Sequence, residues 1–374
     1  MPSSAAAGEQ VPVPPLKVLA INPGSTTTRL ALFSDGREIF SVEAPVDAGA
    51  VSGLATTVDQ VPLRREAIRK ALSAAGRGLD DLAAVVARGG PMAPVPGGTY
   101  RVNPAMLADA RSERHVDHVS RIGCILADEL AGAAGAEAFV VDPVSTDEYG
   151  PPARVSGLPE LPRRSLTHAL NIRACARRYA AECARDPGGL NLIVAHLGGG
   201  ISIAAVESGR MVDSVDANGE GPMSPERSGG LRVDDLVDLC FSGAYSRAEL
   251  KRKLTRGGGL VAHTGTSDAV RVEKLAASGD QRARACYEAM AYQVSKHVAS
   301  MAAVLCGRVD AVILTGGLAR SEVLTSIVRE RVSFLGEVRL YPGEDEMRAL
   351  CEGALRVLRG EERPRVYPSG REEG

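Results

Sequence analysis

The feature that most constrains the fold is a group of three short strands that occurs twice along the chain. In the first half, an apolar run at 16–21 ends at a turn rich in glycine, serine and threonine, and two more strand-like segments follow before residue 46. In the second half, a run at 192–196 ends in three glycines and leads to two more such segments before residue 215. Apolar runs bounded by turn residues are typical of buried strands. The repetition predicts two similar lobes.

Helical and strand patterns alternate after each group. Residues 62–75 and 119–134 have the apolar spacing of helices, and the runs at 82–87 and 138–141 are typical of buried strands. In the second half, a long amphipathic segment at 280–305 precedes another strand-like run. The alternation predicts an α/β chain whose two lobes face each other across a cleft.

The chain is long enough for two domains, since single hydrophobic cores stop growing at roughly 250–300 residues. We expect an N-terminal lobe at 16–148 and a C-terminal lobe at 160–345, separated by a stretch rich in proline and glycine. A last helix at 347–360 is expected to pack back on the first lobe. Residues 1–15 are predicted to be a disordered leader and 361–374 a tail.

Composition narrows the classes of partner. Aromatic residues make up 3% of the chain and Trp is absent, so stacking platforms for single-stranded nucleic acid are not expected. A formal net charge of −2 gives no reason to expect nucleic acid or an anionic membrane. The seven cysteines include no Cys-x-x-Cys pair, and no apolar run reaches the roughly 18 residues of a membrane span. These features predict a cytoplasmic protein without disulfides or a zinc site.

Three strand ends carry residues suited to binding phosphate. The turns at 22–28 and 196–202 contain glycine, serine and threonine, which expose backbone N–H groups and hydroxyls to an oxyanion. The third, Thr315-Gly-Gly317, opens towards a following helix, whose N-terminus also favours an anion. Each one alone is equally well explained as a tight turn, but their corresponding positions favour a nucleotide site. Walker A and dinucleotide fingerprints are absent, so the site is of another design.

Longer motifs, in order from about residue 16 to 358, resemble the acetate kinase family, the acetokinase branch of the sugar kinase, actin and heat-shock ATPase superfamily. The matching segments are 20–26, 142–144, 156–159, 164–169, 195–202, 219–229, 239–243, 310–317 and 341–347. The resemblance implies two ribonuclease H-like lobes, the duplicated fold of actin-like ATPases, around a nucleotide cleft. It also implies that the C-terminal lobe binds the nucleotide and that the protein is a homo-oligomer, a dimer or larger.

The implied activity is ATP-dependent phosphorylation of a short-chain fatty acid, butyrate foremost, with Mg²⁺. Such catalysis consists mainly of alignment and neutralisation of charge around the γ-phosphorus. The resemblance assigns Arg227 to stabilising the transferred phosphoryl group, His168 to hydrogen-bonding it and Asp142 to orienting the attacking group. Arg88 stands where acetate kinases carry a histidine before Gly-Gly, and Val85 replaces their substrate arginine. We therefore expect Arg88 to hold the carboxylate.

The resemblance also assigns the nucleotide and metal ligands. The nucleotide is expected to contact Asn22, Gly24, Ser25, Thr27, Arg29, His196, Gly198, Gly199, Gly200, Thr315, Gly316 and Gly317. Mg²⁺ is expected at Asn22, Asp345 and Glu346; which acid of the run 344–346 ligates it stays open, because acids there also favour a helix N-terminus. The remaining histidines are interpreted as surface or core residues: His115, His118, His263 and His297.

Other interpretations of function stay open. Acetate, propionate, isobutyrate, isovalerate or valerate also fit as substrate, because one methylene changes discrimination by only about 1–3 kcal/mol. An actin-like ATPase switch has a similar cleft, but it does not need Arg227, His168 and Arg88 to converge on a small anion. A sugar kinase would need an aspartate base beside a hydroxyl group.

Overall fold

The structure, a computed structural model, describes residues 14–216 and 218–368. Most of the predicted leader and the end of the predicted tail therefore lie outside the described residues. The strands are β1 (Lys17–Pro23), β2 (Thr27–Ser34), β3 (Arg37–Pro45), β4 (Leu82–Arg88), β5 (Thr99–Arg101), β6 (Glu137–Val141), β7 (Asn191–Leu197), β8 (Ile201–Glu207), β9 (Arg210–Val215), β10 (Ala311–Gly316), β11 (Glu337–Pro342) and β12 (Arg365–Val366).

The helices follow the same chain order. They are α1 (Ala48–Ser52), α2 (Val61–Ala74), α3 (Pro104–Arg111), α4 (Gly123–Ala134), α5 (Pro151–Arg154), α6 (Ala169–Glu182), α7 (Val233–Phe241), α8 (Arg247–Arg256), α9 (Gly259–Thr264), α10 (Ala269–Ala277), α11 (Gln281–Val304), α12 (Glu322–Val332) and α13 (Glu346–Leu358). Short 3-10 turns occur at Val58–Gln60, Val119–Ile122, Pro187–Gly189, Gly317–Arg320 and Ser333–Leu335.

The two lobes repeat one sheet topology. Within the described residues the first sheet has the order β12-β5-β6-β4-β1-β2-β3 and the second the order β11-β10-β7-β8-β9. In the first, β1 to β3 form an antiparallel meander that β4 and β6 extend in parallel. In the second, β7 to β9 form the meander and β10 and β11 extend it. The predicted pair of ribonuclease H-like lobes is confirmed.

The second turn of each meander shows why the two halves fold alike. Asp35 and Gly36 have φ of 48° and 87°, and Ser208 and Gly209 have φ of 52° and 74°. Two consecutive residues with positive φ form the two-residue hairpin turn whose twist matches that of the flanking strands. Glycine adopts this backbone without strain. The same local solution therefore fixes the register of both hairpins.

Helices α6 and α13 pack on different sheets and contact each other. Leu350 and Ala354 of α13 join a buried cluster with strand residues of the first sheet. A Cβ at Gly353 would lie 2.5 Å from Val141, so glycine permits this close approach. Helix α6 buries Ile172 in a cluster with strand residues of the second sheet. The contact between the two helices links the lobes.

The predicted tail is partly a structural element. Residues 365–366 form β12, which pairs in parallel with β5. The hydroxyl of buried Tyr367 donates to the carboxylate of Asp109 and accepts from the Ala93 N–H at 3.0 Å. The prediction of a plain tail is wrong for these residues, because sheet pairing and a buried hydrogen bond attach them to the first lobe.

Candidate active site

The first glycine-rich turn joins β1 to β2 and is tightly folded. The Gly24 N–H donates to the carbonyl of Thr27 at 2.8 Å. Ser25 is exposed and Thr27 is half-buried, so polar groups of the turn remain accessible. Arg29, two residues into β2, is also exposed. The turn presents small polar residues beside a cation, as binding of a phosphate chain requires.

Glu346 connects this turn to the end of β4. The Asn22 side-chain amide donates to one Glu346 carboxylate oxygen at 2.6 Å. The Arg88 guanidinium lies 3.1 Å from the other oxygen. Glu346 is the first residue of α13 and is 8% exposed. Three residues predicted separately for catalysis, nucleotide and metal are therefore in direct contact.

Two histidines from the second lobe are stacked at the other side of the site. The ring centroids of His168 and His196 are 3.8 Å apart and the planes differ by 8°. His196 is buried and its two ring nitrogens lie 3.0 Å from the Asn171 side-chain oxygen and 3.1 Å from a Glu344 oxygen. The hydrogen bond with His196 lowers the pKa of Glu344, and the positive charges of Arg88 and Arg29 act in the same direction. Glu344 thus ties the histidine pair to the cations of the first lobe.

His168 is a neutral imidazole near neutral pH. Its Nδ1 lies 3.0 Å from the buried Ser202 hydroxyl. Burial holds the pKa of His168 well below its usual value of 6.5, and His196, Arg88 and Arg227 lower it further. Because Arg88 belongs to the first lobe and Arg227 to the second, cations of both lobes act on His168.

Arg227 lies against the second glycine-rich turn. A Cβ at Gly200 would come within 2.5 Å of the Arg227 guanidinium, so the approach requires glycine. The Ser224 hydroxyl donates to the Gly199 carbonyl at 2.6 Å and fastens the arginine's loop to the turn. Gly199 is exposed, and a Cβ there would lie 3.8 Å from the Glu226 carboxylate, its nearest neighbour. Gly198 lies next to His196, where a Cβ would be 3.1 Å from the imidazole.

The third glycine-rich turn, at 315–317, packs against the second, at 196–202. Gly316 has φ of 89°, and a Cβ there would lie 2.3 Å from the carbonyl oxygen of Leu197. The buried Thr315 hydroxyl donates to the Gly343 carbonyl at 3.2 Å. Gly317 is exposed at the start of a 3-10 turn. The three predicted turns are thus brought together through β7, β10 and the loop before α13.

Two further residues face this group, and the sequence interpretation missed them. Partial desolvation between the lobes lowers the pKa of His118, as do the positive charges of Arg88, Arg256 and Arg227. Arg256 is exposed. Two residues before it, the carbonyl of Leu254 accepts a hydrogen bond from the Ser228 N–H at 3.0 Å. The glycine run at 257–259 directly after Arg256 was the available signal.

That pairing places Arg256 opposite Arg227. On the other side of the two arginines, the Gly258 N–H donates to the Glu226 carbonyl at 3.0 Å. A Cβ at Gly259 would lie 1.7 Å from the Ser224 carbonyl oxygen, so the glycines let the two segments touch. Positive charge on Arg256 also lowers the pKa of Arg227, for which burial is the main cause.

Asp142 is not part of this group of contacts. Its carboxylate forms ion pairs with Arg173 at 2.8 Å and Arg177 at 2.9 Å, and it accepts from the Gly98 N–H at 2.7 Å. The residue is 1% exposed. Burial alone would raise the pKa of Asp142, but Arg177 and Arg173 hold it below its usual range. Its hydrogen-bonding capacity is directed at α6 and the segment before β5, not at Arg88 or His168.

The residues predicted to bind the metal lie in two different places. Asn22 and Glu346 meet beside the first turn, whereas Asp345 lines a cavity of about 1070 Å³ between α6 and α13. Within residues 14–216 and 218–368, no cluster of three or more His, Cys, Asp or Glu side chains is arranged to hold a metal ion. Mg²⁺ commonly takes only one or two carboxylates and completes its shell with phosphates and water. Asn22 and Glu346 are compatible with such a site.

Two lobes of this topology, with glycine-rich turns at the ends of β1, β7 and β10, have the fold shared by two-lobed kinases and actin-like ATPases. A family model described as the Acetokinase family matches residues 160–342. Probable butyrate kinase 2 of Caldanaerobacter subterraneus subsp. tengcongensis is 49% identical over 351 residues, which cover 94% of this chain and 99% of that protein. Butyrate kinase 2 of Clostridium acetobutylicum is 46% identical over 352 residues, with the same two coverages. The chain belongs to the acetokinase family.

A solved structure supports the same fold. Acetate kinase of Porphyromonas gingivalis matches with a TM-score of 0.71 at 19% identity, over 92% of this chain and 100% of that one. At this identity the match concerns the fold alone. None of the helices in the described part of the chain is long and apolar enough to cross a membrane.

Proposed function

We propose that the chain is a short-chain fatty acid kinase that converts ATP and butyrate to ADP and butyryl phosphate. Relatives named butyrate kinase, 46–49% identical over 94% of the chain, support this activity. The observation that carries the proposal is the convergence of Arg88, Arg227 and neutral His168 beside glycine-rich turns of both lobes.

The reaction needs cations more than it needs a base. A carboxylate oxygen of butyrate bonds to the γ-phosphorus while the bond to the β,γ-bridging oxygen breaks, and that electron pair leaves with ADP. Butyrate is already ionised at neutral pH, because carboxylic acids of this kind titrate near pH 4–5, so no proton has to be removed. Arg227 neutralises the equatorial phosphoryl oxygens, and Arg88 draws the acid against them.

Neutral His168 adds a hydrogen bond to the phosphoryl group. When Ser202 donates its hydroxyl proton to Nδ1, the ring proton is on Nε2, which can then donate to a phosphoryl oxygen. The turns that contain Gly24, Gly199 and Gly317 bind the phosphates and flank the adenosine. Each of these assignments extends the family resemblance to groups that lie together in the structure.

We assign Mg²⁺ to the oxygens of Asn22 and Glu346. The Asn22 amide nitrogen faces Glu346, which leaves the Asn22 side-chain oxygen for the metal. When bound, Mg²⁺ supplies positive charge against the nucleotide phosphates. We do not extend the assignment to Asp345. We assign Asp142 a positioning role, because both of its oxygens are held in ion pairs.

Formation of butyryl hydroxamate from butyrate, ATP and hydroxylamine tests the proposal. We expect activity that falls by about 100- to 1000-fold in Arg227→Ala, the effect of removing one transition-state donor. An ATPase switch would instead hydrolyse ATP equally fast without acid, and this result would contradict the kinase. A sugar kinase is disfavoured because Asp142, its candidate base, is buried in ion pairs.

Substrate range, assembly and location extend beyond the family assignment. Propionate, valerate, isobutyrate and isovalerate are alternatives to butyrate, and a panel of two- to six-carbon acids separates them by kcat/KM. We propose a homo-oligomer in the cytoplasm, with sedimentation velocity as the test of assembly. The participants in the reaction are small molecules, not nucleic acid or membrane.

A further inference from the structure

An arginine is buried directly behind the first glycine-rich turn. Arg64, in the first turn of α2, is 0% exposed. Its guanidinium donates to the Ser25 carbonyl at 3.1 Å, to the Thr27 carbonyl at 3.2 Å and to the Thr28 hydroxyl at 3.1 Å. Its Nε donates to the Gln60 side-chain oxygen at 3.0 Å. One side chain thus holds three groups of the turn, from Ser25, Thr27 and Thr28.

All four partners of Arg64 are neutral oxygens. Among residues 14–216 and 218–368, no carboxylate lies within ion-pair distance of the Arg64 guanidinium, and desolvation lowers the pKa of Arg64. Burial of a cation without a counter-ion is unfavourable, so proteins usually pair buried charges. Its neighbour Arg65 shows the usual pattern: it is 40% exposed and contacts Glu129 at 2.8 Å.

The contacts also orient the peptide groups of the turn. The carbonyl and the following N–H of a trans peptide point in opposite directions. Because the Ser25 carbonyl points to Arg64, the Thr26 N–H points away from it. The Thr26 carbonyl is likewise bonded, to the Val46 N–H at 3.0 Å. Negative carbonyl ends are thereby kept away from the side on which phosphate would bind.

We propose that Arg64 is a positioning residue for the nucleotide: it holds the Ser25 and Thr27 carbonyls behind the turn, and the phosphate tail of ATP or ADP is the counter-ion of its buried charge. This inference rests on the proposed function, since it requires a nucleotide at the first turn. Arg64 acts through the turn and through its charge, without touching the phosphates.

Titration of the full-length protein with ADP and Mg²⁺ tests the proposal. We expect Arg64→Met to weaken ADP binding by about 10-fold or more, from loss of charged hydrogen bonds, and to raise KM for ATP similarly. KM for butyrate should stay within about 2-fold of wild type, since the carboxylate end of the site is not altered. Arg65→Met is the matched control and should bind ADP as wild type does.

The salt dependence of ADP binding distinguishes an effect of the Arg64 charge from an effect of the support that Arg64 gives to the turn. Arg64→Lys keeps the charge but lacks the guanidinium fork, so it should keep the wild-type salt dependence at intermediate affinity. If Arg64→Met does not fold, Arg64→Lys and Thr28→Val still test the inference. Thr28→Val removes one acceptor of Arg64. Folded Arg64→Met with wild-type ADP affinity would overturn the inference. Failure of the wild type itself to bind ADP would instead contradict the proposed function.

Discussion

His168 and His196 are stacked almost in parallel, with ring centroids 3.8 Å apart. Two protonated imidazoles at this distance would repel each other, and Arg88 and Arg227 add positive charge nearby. Arg88 and Arg227 therefore make the surroundings of the stacked pair electropositive. A triphosphate and a carboxylate are anions of the kind that such an arrangement attracts.

The depressed pKa of His168 predicts how activity depends on pH. His168 should remain neutral as pH falls through 6.5, so kcat should not show a protonation step at that value. Because its folded pKa lies below the unfolded one, His168 contributes stability above pH 6.5 that is lost as pH falls towards the folded pKa. A kcat profile and urea unfolding from pH 5 to 8 check both statements. In His168→Asn the corresponding pH dependence of unfolding should be missing, and kcat should be about 100-fold lower.

Glu346 contacts Asn22 and Arg88, but Arg88 is proposed to bind the acid and Glu346 the metal, which predicts separable effects on substrate and metal. Arg88→Met should raise KM for butyrate by about 10- to 100-fold, the contribution of a charged hydrogen bond. Glu346→Gln should raise the Mg²⁺ concentration for half-maximal activity by about 10-fold, as loss of one ligand charge does. Initial rates over a grid of butyrate and Mg²⁺ concentrations measure both.

Glu352→Gln is the control for the metal effect. Glu352 lies six residues later on α13 and forms an exposed pair with Arg348 at 2.8 Å. It should leave the Mg²⁺ requirement unchanged. An equal shift in both glutamate variants would mean that the effect comes from the helix and not from Glu346.

For Asp142 we expect an effect on stability that exceeds the effect on chemistry. Asp142→Asn removes the buried carboxylate shared by half-buried Arg173 and Arg177, and among the described residues only Arg173 keeps another carboxylate partner, Glu148 at 2.9 Å. Loss of these ion pairs costs up to about 3–5 kcal/mol. The kcat per folded molecule should remain within about 10-fold of wild type, because no proton transfer is required. Urea unfolding and active-site titration measure the two quantities. A stable variant with kcat reduced 1000-fold or more, on the order of a lost triad residue, would restore the catalytic assignment.

Parts of the fold were predictable because their signals are local. The runs that became β1 and β7 are apolar and end at glycine turns, and Asp35-Gly36 marks a hairpin by itself. Helix α6 was not predicted, although its sequence is rich in alanine and arginine, which favour a helix. Strand β12 was missed because two residues carry no periodic pattern.

The same distinction applies to the site. Turn residues could be found from composition, but burial of Arg64 and the ion pairs of Asp142 depend on distant segments. Asp142 matches a family motif, and nothing adjacent in sequence indicates that α6 supplies its two arginines. The interpretation of His118 as a surface or core residue rests on histidine spacing, which cannot show that arginines of both lobes act on it.

Arg256 gives the most direct test of the arrangement between the lobes. Its charge lowers the pKa of His118, which belongs to the other lobe. Replacement by alanine should therefore raise the His118 pKa, as Arg88→Ala should, and NMR titration of the imidazole resonances measures it. The exposed Arg252 on the same helix is the control, and Arg252→Ala should leave that pKa unchanged. Because Arg256 is exposed, the rise should shrink at high salt. No change in the His118 pKa would show that Arg256 lies further from His118 in solution than in the structure.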